Sequence, residues 1–237
     1  MAVATRVKIC GITNLEDARQ AVELGAWAIG MIFWDGSERR CDLAAGEQIS
    51  AELRRQVEPV GVFVNATLDE IAYAADRCSL AILQLHGDEG PAFCREAARR
   101  TGCKVMKAMR VKDAGSIQAL AAYEVDYHLL DAYKPGHVGG TGETFQWELV
   151  KLHHGHAPIV LSGGLTPDNV TEGIAAVRPF AVDTASGTEA SPGCKDPEKV
   201  EAFFRAVAQE DGRSPSVYAR PDVEQRHQNA GLEAQRR

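Results

Sequence analysis

The sequence predicts an α/β protein, a single (β/α)8 TIM barrel of eight parallel strands. Short β-branched or apolar runs alternate with longer segments of helical period from Val7 to Gln209. About eight such runs occur, the number that closes a parallel barrel. The first run leads into Cys10-Gly11-Ile12-Thr13, whereas an open doubly wound sheet would place a glycine-rich dinucleotide fingerprint there.

Taken in chain order, the first strand is Val7 to Cys10, and the first helix, Leu15 to Leu24, starts behind Asn14 with Asp17 three residues on. Ala28 to Phe33 and Pro59 to Val64 are the next strands, separated by a helix over Ala44 to Arg55. Thr67 followed by Glu70 reads as a capping box for the helix Leu68 to Arg77. Strand Leu80 to Leu85, helix Pro91 to Arg100, strand Val105 to Met109 and helix Ala114 to Ala121 continue the alternation. It ends with strand Tyr127 to Leu130, helix Gln146 to His153, strand Ile159 to Leu161, helix Asp168 to Val177, strand Ala181 to Asp183 and helix Pro197 to Gln209. Beyond it the chain turns polar and aperiodic, so the expected division is a catalytic barrel over 1–209 and a flexible polar tail over 210–237.

The 237 residues are 45% hydrophobic and 25% charged, enough for one large core. A formal net charge of −7 argues against a nucleic-acid or anionic-membrane binder, so any phosphate recognition must be local. The longest apolar run, Ala26 to Trp34, is far short of a membrane span, and Met1 to Arg6 offers no signal-peptide core. The expected location is the cytoplasm. The six cysteines show no zinc spacing, so reduced thiols and no metal are expected.

In such a barrel the chemistry sits at the C-terminal strand ends. With Cys10 as the inward-facing end of the first strand, the period of two brings Lys8 to the same face. A lysine there needs a carboxylate, and Asp183 and Asp131, each ending a later strand, are the candidates. Cys10 alone is compatible with a buried structural thiol as well as a functional one. Gln84 and His86 share a face at the end of the fourth strand and are candidate pocket residues, although His86 also suits a capping role.

The seventh strand is followed by Ser162-Gly163-Gly164-Leu165 and the eighth by Ala185-Ser186-Gly187. Backbone N–H groups from these two loops converge on an anion in this fold, which makes Ser162, Gly163, Gly164, Ser186 and Gly187 candidate phosphate ligands. A third stretch, His137 to Gly142, follows Asp131; it reads as a cover over the site, with Gly140 and Gly142 as further phosphate candidates. His153, His154 and His156 lack supporting ligands and fall on the opposite face, so they read as surface histidines.

Lys8-Ile9-Cys10-Gly11-Ile12-Thr13 resembles the opening signature of the phosphoribosylanthranilate isomerases. The resemblance continues in order through Gly61-Val62-Phe63-Val64-Asn65, Leu83-Gln84-Leu85-His86-Gly87, Asp131 ahead of Gly139-Gly140-Thr141-Gly142, Ser162-Gly163-Gly164-Leu165 with Pro167, Asn169 and Val170, and Ser186-Gly187 with Glu189, Pro192-Gly193 and Lys195-Asp196. It implies a cofactor-independent Amadori rearrangement of tryptophan biosynthesis acting on a phosphorylated small molecule, in a monomer or homodimer, with Cys10 as general base and Asp131 as general acid. A free thiol is mostly protonated at neutral pH, so Lys8 is expected to favour the thiolate, while Asp131 must be held protonated. Lys8, Gln84, His86 and Asp183 would then line the substrate site.

The family's substrate-carboxylate arginine corresponds to Arg39 in Ser37-Glu38-Arg39, where Glu38 replaces the usual proline and leaves Arg40 as a rival. Gln146 and Thr184-Ala185 also depart from the pattern. Two rival functions remain at this level. A sister isomerase of histidine biosynthesis, or a bifunctional enzyme, typically uses two aspartates, and Cys10 argues against it. A non-catalytic sugar-phosphate-binding barrel needs neither Cys10 nor Asp131.

Overall fold

A computed structural model describes residues 4–131, 145–150, 152–153 and 155–212. Eight parallel strands close into a barrel in sequence order: β1 (Arg6–Cys10), β2 (Ala28–Ile32), β3 (Glu58–Phe63), β4 (Ile82–Leu85), β5 (Lys104–Arg110), β6 (Tyr127–Asp131), β7 (Ile159–Ser162) and β8 (Ala181–Thr184). The helices between them are α1 (Leu15–Glu23), α2 (Leu43–Leu53), α3 (Leu68–Arg77), α4 (Pro91–Thr101), α5 (Ala114–Ala119), α6 (Phe145–Val150), α7 (Val170–Val177) and α8 (Pro197–Glu210). Every predicted strand and helix has its counterpart, displaced by a few residues at the ends.

The helix starts follow the local chemistry. Asn14 accepts the Asp17 N–H at 2.9 Å, and at α3 the Thr67 hydroxyl accepts from the Glu70 N–H (3.2 Å) while the Glu70 carboxylate accepts from the Thr67 N–H (2.8 Å). At the other end of the chain, α8 runs to Glu210, and Asp211 accepts from both the N–H and the hydroxyl of Thr5 (2.9 Å each). The last helix is thereby tied to the start of β1. Residues 213–237 lie outside the described set, as do 137–142 with Gly140 and Gly142, and His154.

Side chains alternate between two cores. Val7, Ile9, Ile29, Leu83, Leu161 and Val182 point outward against the helices, while Ala28, Val60, Ile82, Met106, Leu129, Val160 and Ala181 fill the barrel. Trp27, Tyr127 and Phe180 close the N-terminal end, with ring centroids 5.2 to 5.5 Å apart and the Arg6 guanidinium 4.5 Å over Phe180. Among the described residues the barrel is therefore plugged at its N-terminal end.

Two features were not foreseen. A short hairpin of β9 (Glu189–Ser191) and β10 (Cys194–Lys195) stands between β8 and α8. His153 also departs from the surface reading: it is half-buried, and its Nε2 lies 2.8 Å from Nδ1 of the buried His128 on β6. His156 is exposed. Among the described residues, no group of three or more His, Cys, Asp or Glu side chains is placed to hold a metal ion, and no helix is long and apolar enough to cross a membrane.

Candidate active site

The mouth of the barrel holds a cavity of about 280 Å³ lined by residues from seven strands or the loops that follow them. Cys10 from β1, Gln84 and His86 from the end of β4, Asp131 from β6, Ser162-Gly163-Gly164 after β7, and Asp183 with Ser186 at β8 all contribute, together with Arg39 from the β2–α2 loop. Cys10 and Asp131 thus face a common space from opposite sides of the barrel. Lys8 and Gly187 stand behind the lining.

Register explains the first of these. Lys8 pairs with Asp183 across β1 and β8, so the two inward side chains meet with Nζ to Oδ1 at 2.7 Å, and Asp131 on β6 is left to the rim. Burial alone would strip the proton from Lys8, but the Asp183 charge and the neighbouring Cys10 outweigh it and hold the ammonium above its ordinary range. Gly30, paired with Cys10, makes room for both groups: a Cβ there would stand 2.8 Å from Cys10 Sγ and 3.1 Å from Lys8 Nζ. For Cys10 itself burial dominates and pushes the thiol up. Lys8 and Lys195 pull it back and Asp183 adds to the rise, so the thiol ends above its usual value. The expected help from Lys8 is present in direction but does not prevail over desolvation.

Across the mouth, the Gln84 amide donates to His86 Nδ1 at 2.9 Å, which turns His86 Nε2 toward Asp131, 3.7 Å from Oδ2. His86 is therefore a pocket residue facing the carboxyl group. The Gln84 carbonyl oxygen is buried without a hydrogen-bond partner among the described residues.

The two glycine loops touch one another. Gly163 and Gly164 both line the cavity and adopt positive φ (100° and 68°), the left-handed region that favours glycine. Gly187 packs on this loop so closely that a Cβ would come within 2.0 Å of the Leu165 carbonyl oxygen, and Thr184 Oγ1 donates to the same oxygen at 2.7 Å. Ser186 reaches the cavity, whereas the structure gives Gly187 a packing place.

Between the two candidate arginines the geometry is decisive. Arg39 borders the cavity, and its N–H donates to Ser37 Oγ at 3.1 Å, which fixes the loop despite Glu38. Arg40 points away, paired with Asp35 (2.7 Å) and Asp42 (3.1 Å) beside Trp34. Sequence reasoning missed what holds Arg39: Glu189 and Lys195 of the hairpin. Two charged residues flanking the turn Pro192-Gly193 directly after a barrel strand were the available signal. The opening motif also gains a physical meaning, since Gly11 (φ 75°) lies under the Arg39 stem and Thr13 Oγ1 donates to the Gly193 carbonyl at 2.6 Å.

Comparison with known proteins agrees with this arrangement. Residues 7–206 match the family model described as N-(5'phosphoribosyl)anthranilate (PRA) isomerase. An N-(5'-phosphoribosyl)anthranilate isomerase from Citrifermentans bemidjiense is 53% identical over 200 residues, 84% of this chain and 95% of its own. The crystal structure of phosphoribosyl anthranilate isomerase from Thermotoga maritima is similar at a TM-score of 0.77 and 40% identity, covering 86% of this chain and 99% of that one. A further such isomerase, solved in complex with reduced 1-(o-carboxyphenylamino)-1-deoxyribulose 5-phosphate, is 38% identical at a TM-score of 0.74, with 86% and 99% covered.

Proposed function

The chain belongs to the phosphoribosylanthranilate isomerase family, and we propose that Cys10 is the general base and Asp131 the general acid of its reaction. That reaction is the Amadori rearrangement of N-(5-phosphoribosyl)anthranilate to 1-(2-carboxyphenylamino)-1-deoxyribulose 5-phosphate in tryptophan biosynthesis. The observation that carries the assignment is the placement of a β1 thiol and a β6 carboxyl group on one cavity whose rim bears paired glycine loops.

Asp131 protonates the furanose ring oxygen, and the ring opens as the anthranilate nitrogen forms a protonated imine with the first sugar carbon. Cys10, as thiolate, then takes the proton from the adjacent sugar carbon, and the electron pair left behind moves toward the imine to give an enolamine. Ketonisation yields the product. The substrate's own nitrogen acts as electron sink, so no cofactor takes part. His86 faces Asp131 and orients its carboxyl group. The phosphate is held by Ser162, Gly163, Gly164 and Ser186, with Gly187 supporting the loops. Arg39 takes the anthranilate carboxylate, and Gln84 and Asp183 line the cavity with Lys8 behind them. The matched segment, residues 7–206, supports a catalytic domain over 1–209.

The test follows the loss of phosphoribosylanthranilate fluorescence in wild type, Cys10→Ser and Asp131→Asn. Each variant is expected to lose at least about a hundredfold in kcat, the low end for removing a general acid or base. Full activity in either one removes that residue from its role.

A further inference from the structure

Arg39 is held along one edge only. Glu189 accepts from Nε on both carboxylate oxygens (2.9 Å each) and lies 2.8 Å from Nη2, while Nη1 has no partner among the described residues. The carboxylate is itself fixed from behind. Its side chain is 4% exposed against 26% for Arg39, and it accepts from Lys195 Nζ at 3.2 Å and from the Gly193 N–H at 3.4 Å. Lys195 is fully buried and also donates to the Ala185 carbonyl at 3.0 Å. Beneath, the Arg39 stem crosses Gly11, where a Cβ would stand 3.1 Å from Arg39 Cδ.

A guanidinium carries five N–H donors in a planar fork, and one carboxylate along the Nε edge leaves the opposite end for a second. A long side chain on a loop loses much rotamer freedom when it binds a ligand, and prior fixation by a buried partner removes that cost.

We propose that Glu189 is a positioning residue for substrate specificity: by clamping the Nε edge of Arg39 from the β9–β10 hairpin, it aims Nη1 at the carboxylate of the substrate. The proposal rests on the assignment of Arg39 as the carboxylate-binding side chain.

The experiment compares kcat and KM for phosphoribosylanthranilate and for its aniline counterpart, which lacks the carboxylate, in wild type, Arg39→Met, Glu189→Gln and Glu189→Asp. Wild type is expected to favour the carboxylate substrate in kcat/KM by about ten- to a hundredfold, the range for a charged hydrogen-bonded contact, and Arg39→Met to abolish the preference. Both Glu189 variants are expected to lower the preference at least about fivefold, mainly through KM, and to leave the aniline substrate within about twofold of wild type. Glu189→Asp keeps a charge beside Lys195 while withdrawing the oxygens from Arg39, so it decides the matter even where Glu189→Gln fails to fold. Equal losses on both substrates, or an intact preference in the Glu189 variants while Arg39→Met loses it, overturn the proposal and leave the Arg39 assignment standing. A wild type without preference, or a preference that survives Arg39→Met, overturns both.

Discussion

Lys8 Nζ and Asp183 Oδ1 meet at 2.7 Å inside the barrel, two residues below Cys10 on β1, with side-chain exposures of 0% and 6%. The pair has one consequence for catalysis and another for stability. Lys8 favours the thiolate of Cys10, whereas burial and Asp183 oppose it. In Lys8→Met, Lys195 alone is left to offset burial and Asp183, so the Cys10 pKa rises and the rising limb of kcat/KM against pH moves to higher pH. The same variant strands the Asp183 carboxylate, with Ser162 Oγ donating to it at 3.1 Å, at a cost of about 3–5 kcal/mol in urea unfolding. An unmoved pH profile would remove Lys8 from the ionisation of the thiol.

Gly30 and Gly187 separate chemistry from binding. Gly30→Ala drives a methyl group to within 2.8 Å of Cys10 Sγ, a side-chain atom that moves aside, so kcat is expected to fall at least about tenfold with a modest loss of stability. Gly187→Ala meets the Leu165 carbonyl at 2.0 Å, and backbone must yield. Both phosphate loops then shift, and the expected outcome is a rise in KM together with a loss of about 1–3 kcal/mol. Steady-state kinetics beside thermal unfolding distinguishes the two patterns.

A second buried ion pair lies outside the barrel. Lys107 on β5 and Glu89 meet at 2.8 Å with side-chain exposures of 2% each, and Lys107 also donates to the Leu85 (3.2 Å) and Gly87 (2.6 Å) carbonyls on either side of His86. Glu89 in turn accepts from the Asn65 N–H at 2.8 Å and from the Gly87 N–H at 2.9 Å, which ties the loop after β3 to the loop after β4. Lys107→Met leaves a buried carboxylate without its cation and is expected to cost about 3–5 kcal/mol in chemical denaturation. The double variant Lys107→Met, Glu89→Leu is expected to recover part of that loss. A single variant within about 0.5 kcal/mol of wild type contradicts the assignment, because that is the scale of an exposed substitution.

What the sequence made legible follows from locality. The period of two in β1 placed Lys8 and Cys10 on one face, and capping residues marked α1 and α3, because both signals span only a few neighbouring residues. The partner of Lys8 was a choice between two aspartates until the closure of the barrel brought β8, and not β6, alongside β1. Arg39 was found and Glu189 was not, since 150 positions separate them in the chain and β9 has only three residues and no apolar pattern. His153 was misjudged for the same reason: nothing near it in sequence announces His128.

That histidine pair makes stability depend on pH at the closed end of the molecule. His128 is 2% exposed, with Nδ1 2.8 Å from His153 Nε2 and Nε2 3.2 Å from the Tyr123 carbonyl. Burial holds its pKa below the ordinary histidine value; the Tyr123 carbonyl acts in the other direction, and His153 adds to the lowering. The unfolded chain therefore binds a proton at a higher pH than the folded one, and folding stability rises with pH over that interval. The contribution is complete above about pH 6.5 and is lost as the pH falls through the lower folded-state value, with a slope of at most about 1.4 kcal/mol per pH unit. Urea unfolding of wild type between pH 5 and pH 8 is expected to show this acid-side decline, and His128→Gln, which keeps polar atoms but does not titrate, is expected to flatten it. An identical slope in the variant would assign the decline to other groups.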